Sequence, residues 1–223
     1  MAKGDAHIAT EPTNRRLVIA ITGASGAIYA HRLVQLVVNA GIETHLVVSP
    51  LGQRLLHDEL GLEGLTPSGL ASLAGFEDER ETPDNLILHN FRDVGATIAS
   101  GSFRHDGMIV VPCSSNSLGA IASGVGQNLV HRAAHVTLKE RLRLVLVHRE
   151  MPLSLVDIRN MQAVTEAGAI VCPAQPGFYM LPETIQDLVD FVVGRVLDLV
   201  DVEHDLNIRW SEKVRRQGTR NRD

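Results

Sequence analysis

The stretch Leu17-Val-Ile-Ala-Ile-Thr-Gly-Ala-Ser-Gly-Ala27 limits what this chain can fold into more than any other. Leu17 to Ile21 is a continuous apolar run rich in β-branched residues, the composition of a parallel strand buried on both faces. Thr22-Gly23-Ala24-Ser25-Gly26 breaks it, and Ala27 to Ala40 resumes with helical spacing of Ile28, His31, Leu33, Val34, Val37 and Val38. A strand that turns through small residues into a helix leaves free backbone N–H groups at the helix start, and glycines let a phosphate or a flat ring approach them. An ordinary tight βα turn has the same appearance. We read the turn as a site for something phosphorylated.

That ligand is not NAD by pattern. A dinucleotide fingerprint needs Gly-x-Gly-x-x-Gly and an acidic residue closing the second strand. Here only Gly23 and Gly26 are present, and the second strand, Glu43 to Val48, ends in Ser49-Pro50. Nor is Gly23-Ala24-Ser25-Gly26 a nucleophile elbow, which has one more residue between the serine and the second glycine.

Further along, Leu51 to Leu60 reads as a short helix and Leu86 to Phe91 as a weak strand. Between them, Gly61 to Asp84 carries glycines, prolines and an acidic cluster without periodicity, and reads as a surface insertion. Gly107-Met-Ile-Val-Val-Pro-Cys113 is a strong buried strand leading into Ser114-Ser-Asn-Ser-Leu118, whose hydroxyls can cap a helix and hold a polar ligand. Asn128 to Glu140 is helical, Leu144 to Val147 a strand and Leu153 to Ala167 a helix. Ala169 to Cys172 is a short strand and Pro182 to Leu199 the last helix. Strands alternating with helices predict a right-handed, mostly parallel α/β sheet.

At 223 residues one domain is expected, spanning 16–210, with a flexible N-terminal tail over 1–15 and a basic, disordered tail over 211–223. The net charge of −5 implies no nucleic-acid partner, and the N-terminal residues lack the apolar core of a signal peptide. No apolar run approaches the ~20 residues of a membrane span. Cys113 and Cys172 each end an apolar run beside a proline, which reads as reduced, buried thiols in a cytoplasmic protein without metal-ligand spacing.

Ligands of such sheets bind beyond the carboxyl ends of the strands. That rule gathers Gly23 to Gly26, Ser49, Ser114 to Ser117 and Arg149-Glu150 on one rim. Arg149 suits a planar or anionic ligand through its rigid fork, although an ion pair with Glu150 would serve as a plain anchor. Arg132 and Lys139 lie seven residues apart on one helical face with His135 between them, either a solvated stripe or part of an anion site. Tyr179 sits in the loop Pro176-Gly-Phe-Tyr179. Arg195 stands among Phe191, Val192, Val193, Val196 and Leu197, an apolar setting in which an arginine needs a partner.

Several segments together resemble the UbiX-type flavin prenyltransferases: Ile21-Thr-Gly-Ala-Ser-Gly-Ala27, Ala99-Ser-Gly-Ser-Phe103, Pro112-Cys-Ser114, Leu138-Lys-Glu-Arg141, Val147-His-Arg-Glu-Met-Pro152, Pro176-Gly-Phe-Tyr179 and Arg209-Trp210. The resemblance implies a single-domain Rossmann-like or flavodoxin-like fold assembled as a homododecamer. It further implies binding of reduced FMN, without metal, and transfer of a dimethylallyl group from dimethylallyl monophosphate to flavin N5 and C6. The prenylated FMN would serve a UbiD-type decarboxylase.

Carried over by position, FMN contacts fall on Gly23, Ala24, Ser25, Ser49, Ser114, Ser115, Asn116, Ser117 and Arg149. Tyr179 and Arg195 would hold the prenyl phosphate, Arg132 and Lys139 would complete an anion cage, and Trp210 would help close the site. Ser25, Glu59, Lys139 and Glu150 match the residues that handle protons and the leaving group. Met180 stands where the family often has histidine, and Leu142-Arg143 where it has Arg-Pro. Two rivals remain: an FMN-dependent decarboxylase of peptidyl-cysteine type, whose Pro-x-Met-Asn-x-x-Met-Trp signature is missing, and a non-catalytic FMN-binding accessory subunit of a decarboxylase.

Overall fold

A computed structural model describes residues 15–76 and 82–206. Six strands, β1 (Arg16–Ile21), β2 (Glu43–Val48), β3 (Leu86–His89), β4 (Gly107–Cys113), β5 (Leu144–His148) and β6 (Ile170–Val171), form one sheet in the order β3-β2-β1-β4-β5-β6. Every neighbouring pair is parallel. This is the doubly wound order of Rossmann-type folds, and its switch point lies between β1 and β4. Leu17 to Ile21 have no exposed surface at all, as the run of β-branched residues predicted.

Alternation along the strands feeds two cores. Leu17, Ile19, Ile21, Ile109, Val111, Val145 and Val147 point to one face of the sheet. There they meet α1 (Ala27–Asn39) and α7 (Ile185–Leu199). Val18, Ala20, Met108, Val110, Leu144 and Leu146 point to the other. That face is covered by α4 (Ser115–Ala122), α5 (Leu129–Lys139) and α6 (Leu155–Glu166). Because β-strand side chains alternate in direction, a strand covered by helices on both sides must be apolar throughout.

Two features depart from the sequence reading. Gly61 to Asp84 is not wholly a surface insertion: α3 (Pro67–Leu73) forms within it, and Leu70, Ala71, Leu73 and Ala74 are buried, most of them against α1. Thr66 caps this helix by accepting from Gly69 N, so the Thr-Pro pair at 66–67 was a helix start rather than loop punctuation. The second is a bulge. Val110 pairs with Leu146 but Cys113 pairs with His148, so β4 carries one residue more than β5 across this step. Pro112 has no N–H to give to the ladder, and the chain is re-aimed just before Ser114.

Candidate functional site

Thr22 joins the two turns at the switch point. Its buried Oγ1 donates to Pro112 O at 2.8 Å and accepts from Ser114 N at 2.9 Å, so the β1 and β4 turns are held as one unit. Three helix starts converge beside it, each capped by a side chain. Ser49 accepts from Gly52 N at the start of α2 (Pro50–Leu60), Ser114 from Ser117 N at α4, and Asn128 from His131 N at α5. They surround a cavity of about 310 Å³ whose walls include Thr22, Gly23, Ser49, Ser114, Asn116 and Ser117, with Leu51, Phe91 and Val130 as its apolar side. Gly52 lets α2 come this close, since a Cβ there would lie 2.5 Å from Ile21 O.

The cavity fits a flavin nucleotide. Helix starts and hydroxyls suit a phosphate and a polyol, the apolar wall suits a flat ring, and the volume is within the range of small-molecule pockets.

The start of α1, where we expected the phosphate, is occupied differently. Glu59 of α2 accepts from Gly26 N at 3.0 Å and Ala27 N at 2.7 Å, so a carboxylate of the chain itself already takes these amides. Burial works to raise the Glu59 pKa, but the Ser25 hydroxyl and these two amides outweigh it, and the group stays below the ordinary carboxylate range. Ser25 and Glu59 are thus neighbours.

Arg149 and Glu150 do not serve as each other's anchor. Arg149 Nε donates to Ser25 O at 3.1 Å, tying the β5 turn to the β1 turn. Glu150 Oε2 accepts from Ser115 Oγ at 3.3 Å, and its Oε1 accepts from Met151 N. Ser115 Oγ also lies 3.1 Å from His148 Nε2. Ser25, Glu59, Arg149, Glu150 and Ser115 thus form a polar rim that adjoins cavity residues in sequence, Ser25 two residues after Gly23 and Ser115 between Ser114 and Asn116.

The remaining candidates lie apart within one protomer. Lys139 sits at the far end of α5, eleven residues from the Asn128 cap, or about 16 Å along the axis. It pairs with Glu140 at 2.5 Å and faces the Ser100-Gly101-Ser102 loop, where a Cβ on Gly101 would meet Lys139 Nζ at 2.7 Å. Arg132 is exposed on the same helix. Arg195 is not on the apolar face of α7: Val192, Val193, Val196 and Leu197 are buried, while Arg195 is exposed and pairs with Asp198 at 2.8 Å. Tyr179 is half-exposed and packs edge-on against Phe191. Trp210 lies outside the described residues, as do the expected C-terminal tail and all of the expected N-terminal tail but Arg15, whose guanidinium donates to Val200 O at 2.7 Å and to Asp201 O at 2.5 Å.

Sequence reasoning passed over Thr22, Phe91, Asn128 and His131 as site residues, and also His148 and Asp157. A threonine ending a buried strand at a switch point was the one visible signal for Thr22. Asn128 stood at a recognisable cap position, but nothing local said that this helix start faces the others.

Comparison with known proteins accords with this geometry. Residues 6–197 match the family described as Flavoprotein. The flavin prenyltransferase UbiX of Halalkalibacterium halodurans is 41% identical over 203 residues, covering 87% of this chain and 93% of that protein. The chain belongs to the UbiX-type flavin prenyltransferase family. The structure of AnUbiX (PadA1) in complex with FMN and dimethylallyl pyrophosphate superposes with a TM-score of 0.75 at 43% identity. It covers 89% of this chain and 98% of that one. A dodecameric FMN-dependent UbiX-like decarboxylase from Escherichia coli O157:H7 does so with the same score at 42% identity, covering 88% and 99%. A peptidyl-cysteine decarboxylase, at 15% identity and a TM-score of 0.56, shares the fold alone.

Proposed function

We propose that this UbiX-family chain binds reduced FMN in the cavity between the β1 and β4 turns and transfers a dimethylallyl group from its phosphate ester to flavin N5 and C6. What supports the reading is the polar rim: two carboxylates, Glu59 and Glu150, are linked to Ser25, Ser115 and Arg149, and Ser25 and Ser115 neighbour in sequence the residues lining a cavity whose walls suit FMN. Joining one group to N5 and C6 removes a hydrogen from each. One proton leaves with the phosphate, and the other is needed at the alkene carbon that becomes saturated. A transferase therefore needs groups that take and return protons at the cavity mouth, whereas flavin storage needs none.

Gly23, Ala24, Ser25, Ser49, Ser114, Ser115, Asn116, Ser117 and Arg149 are assigned to FMN in this reading. Tyr179, Arg195, Arg132, Lys139 and Trp210 are assigned to the prenyl phosphate, where fixed cations stabilise the departing anion. Because Lys139 is remote from the cavity of its own protomer, it would serve the cavity of a neighbour. This argues for a closed assembly, a homododecamer in our reading. The FMN and phosphate chemistry is assigned to the α/β domain over 16–210, the product goes to a UbiD-type decarboxylase, and two free thiols suit the cytoplasm.

The deciding experiment mixes the protein anaerobically with reduced FMN and dimethylallyl monophosphate or diphosphate and weighs the recovered flavin. The expected result is a flavin heavier by one dimethylallyl unit. Unchanged FMN with both donors would sink the reading.

A further inference from the structure

Behind Glu150 and Ser115 lie two side chains, His148 and Asp157, that neither the family comparison nor the FMN assignment uses. His148 is the last residue of β5 and only 2% exposed, yet its Nε2 faces Ser115 Oγ at 3.1 Å. The same hydroxyl lies 3.3 Å from Glu150 Oε2, and it also helps to hold down the pKa of Asp157. Asp157 is itself buried and locked in place, accepting from Ser154 N at 2.9 Å and Ser154 Oγ at 2.5 Å. The bulge in β4 sets the register here by placing Cys113 opposite His148. The charged groups facing the imidazole are Glu150 and Arg149 from the β5 turn and Asp157 from α6.

We propose that Ser115, His148 and Asp157 form a proton relay behind Glu150, in which the Glu150 carboxyl and the His148 imidazole exchange a proton through the Ser115 hydroxyl. The relay rests on the transferase reading for its purpose, though not for its existence.

Proton counting supports it. A serine hydroxyl has one proton to donate, and here it meets two carboxylates and an imidazole nitrogen. Asp157 is held at about 2, by the Ser154 hydroxyl first, then by the Ser154 amide and the Ser115 hydroxyl, so it remains a fixed anion. The mobile protons belong to Glu150, Ser115 and His148. When Glu150 is protonated it donates to Ser115 Oγ, and Ser115 donates to His148 Nε2. If the Glu150 proton passes to Ser115 Oγ while the serine's own proton passes to Nε2, the products are a carboxylate, an intact hydroxyl and an imidazolium beside Asp157. Charge is conserved, and reversal restores the start. Burial, the largest influence on His148, pushes its pKa below the ordinary range, so at neutral pH it is the neutral imidazole, which accepts at Nε2 in its Nδ1–H tautomer. Glu150 could then give up and recover a proton without bulk water once a bound substrate covers the rim.

The test uses histidine-selective 15N labelling of the full-length protein and solid-state NMR of sedimented material as a function of pH, with His148→Gln marking the signal that disappears. In Glu150→Gln and in Asp157→Asn, each of which removes one negative charge, the His148 midpoint should fall by about half a pH unit or more. A midpoint unmoved by Glu150→Gln overturns the relay, whether or not the enzyme is active. In the prenylation assay, His148→Gln can bond to Ser115 but cannot shuttle a proton. It should lose about ten- to a hundredfold in kcat and the acid limb of the pH profile. The donor KM and FMN affinity should stay within about twofold of wild type. An unchanged kcat, or a joint loss of FMN affinity and kcat with the pH profile intact, would mean that His148 only fills space. A protein with the NMR coupling but no prenylated flavin would defeat the transferase reading and leave the relay standing.

Discussion

Thr22 shows how much a single hydroxyl can organise. Replacing it by valine keeps the shape but strands Ser114 N beside the cavity, while Pro112 O keeps its bond from Thr22 N. Leaving that amide unpaired should cost about 1–3 kcal/mol. Thermal melts should show the loss in Thr22→Val and its absence in Thr22→Ser, and flavin retention should follow the same order. Arg195 tests a different function. It is exposed and contacts Asp198, away from the cavity wall, so Arg195→Ala should weaken use of the dimethylallyl donor about ten- to a hundredfold while FMN affinity barely moves. Equal losses of both would refute its assignment to the phosphate.

At the level of elements, α6 carries a reciprocal cap between Ser154 and Asp157. Ser154→Ala should destabilise the protein by about 1 kcal/mol. Because Asp157 ionises at about 2 in the folded chain and near 4 when unfolded, the cap's contribution is intact above pH ~4 and fades as pH falls towards 2. The elements themselves were the legible part of this sequence. Buried parallel strands are apolar on both faces, so β1, β4 and β5 were visible as unbroken runs, Ser114 was placed at a helix start by its capping chemistry, and Asn128 began a segment with helical spacing. α3 was hidden because a seven-residue helix is too short to display a period. Arg195 was misjudged because sequence neighbours on a helix point in different directions: four apolar residues around it face inward, and it faces out. The rim residues Ser25, Ser49, Ser115 and Arg149 were accessible through the strand-end rule. His148 was not, since the bulge that brings it to Ser115 depends on pairing between strands far apart in the chain.

For the whole molecule, two expectations follow. Lys139 and the cavity sit at opposite ends of α5, so our assignment of Lys139 to the prenyl phosphate calls for neighbouring copies to complete each site. Mixing inactive Lys139→Ala subunits with inactive Arg149→Ala subunits and reassembling them should restore part of the activity, whereas sites complete within one protomer would give none. Acid should also act on the entire fold. His89, His105, His131 and His148 all have pKa values lowered, chiefly by burial. The unfolded chain therefore binds protons more readily than the folded one, and stability should decline as pH drops below about 6.5. A melting temperature flat from pH 7 to 5 would contradict this. The packing around Cys113 has a consequence for durability. Reduced flavins generate peroxide in air, and peroxide attacks thiolates rather than thiols. Cys113 lies one residue from the cavity wall, but burial pushes its pKa up to about 12. This sulfur beside the cavity is thus kept as the unreactive thiol, and an alkylating reagent should reach it only when the chain opens, which makes Cys113 a built-in reporter of unfolding.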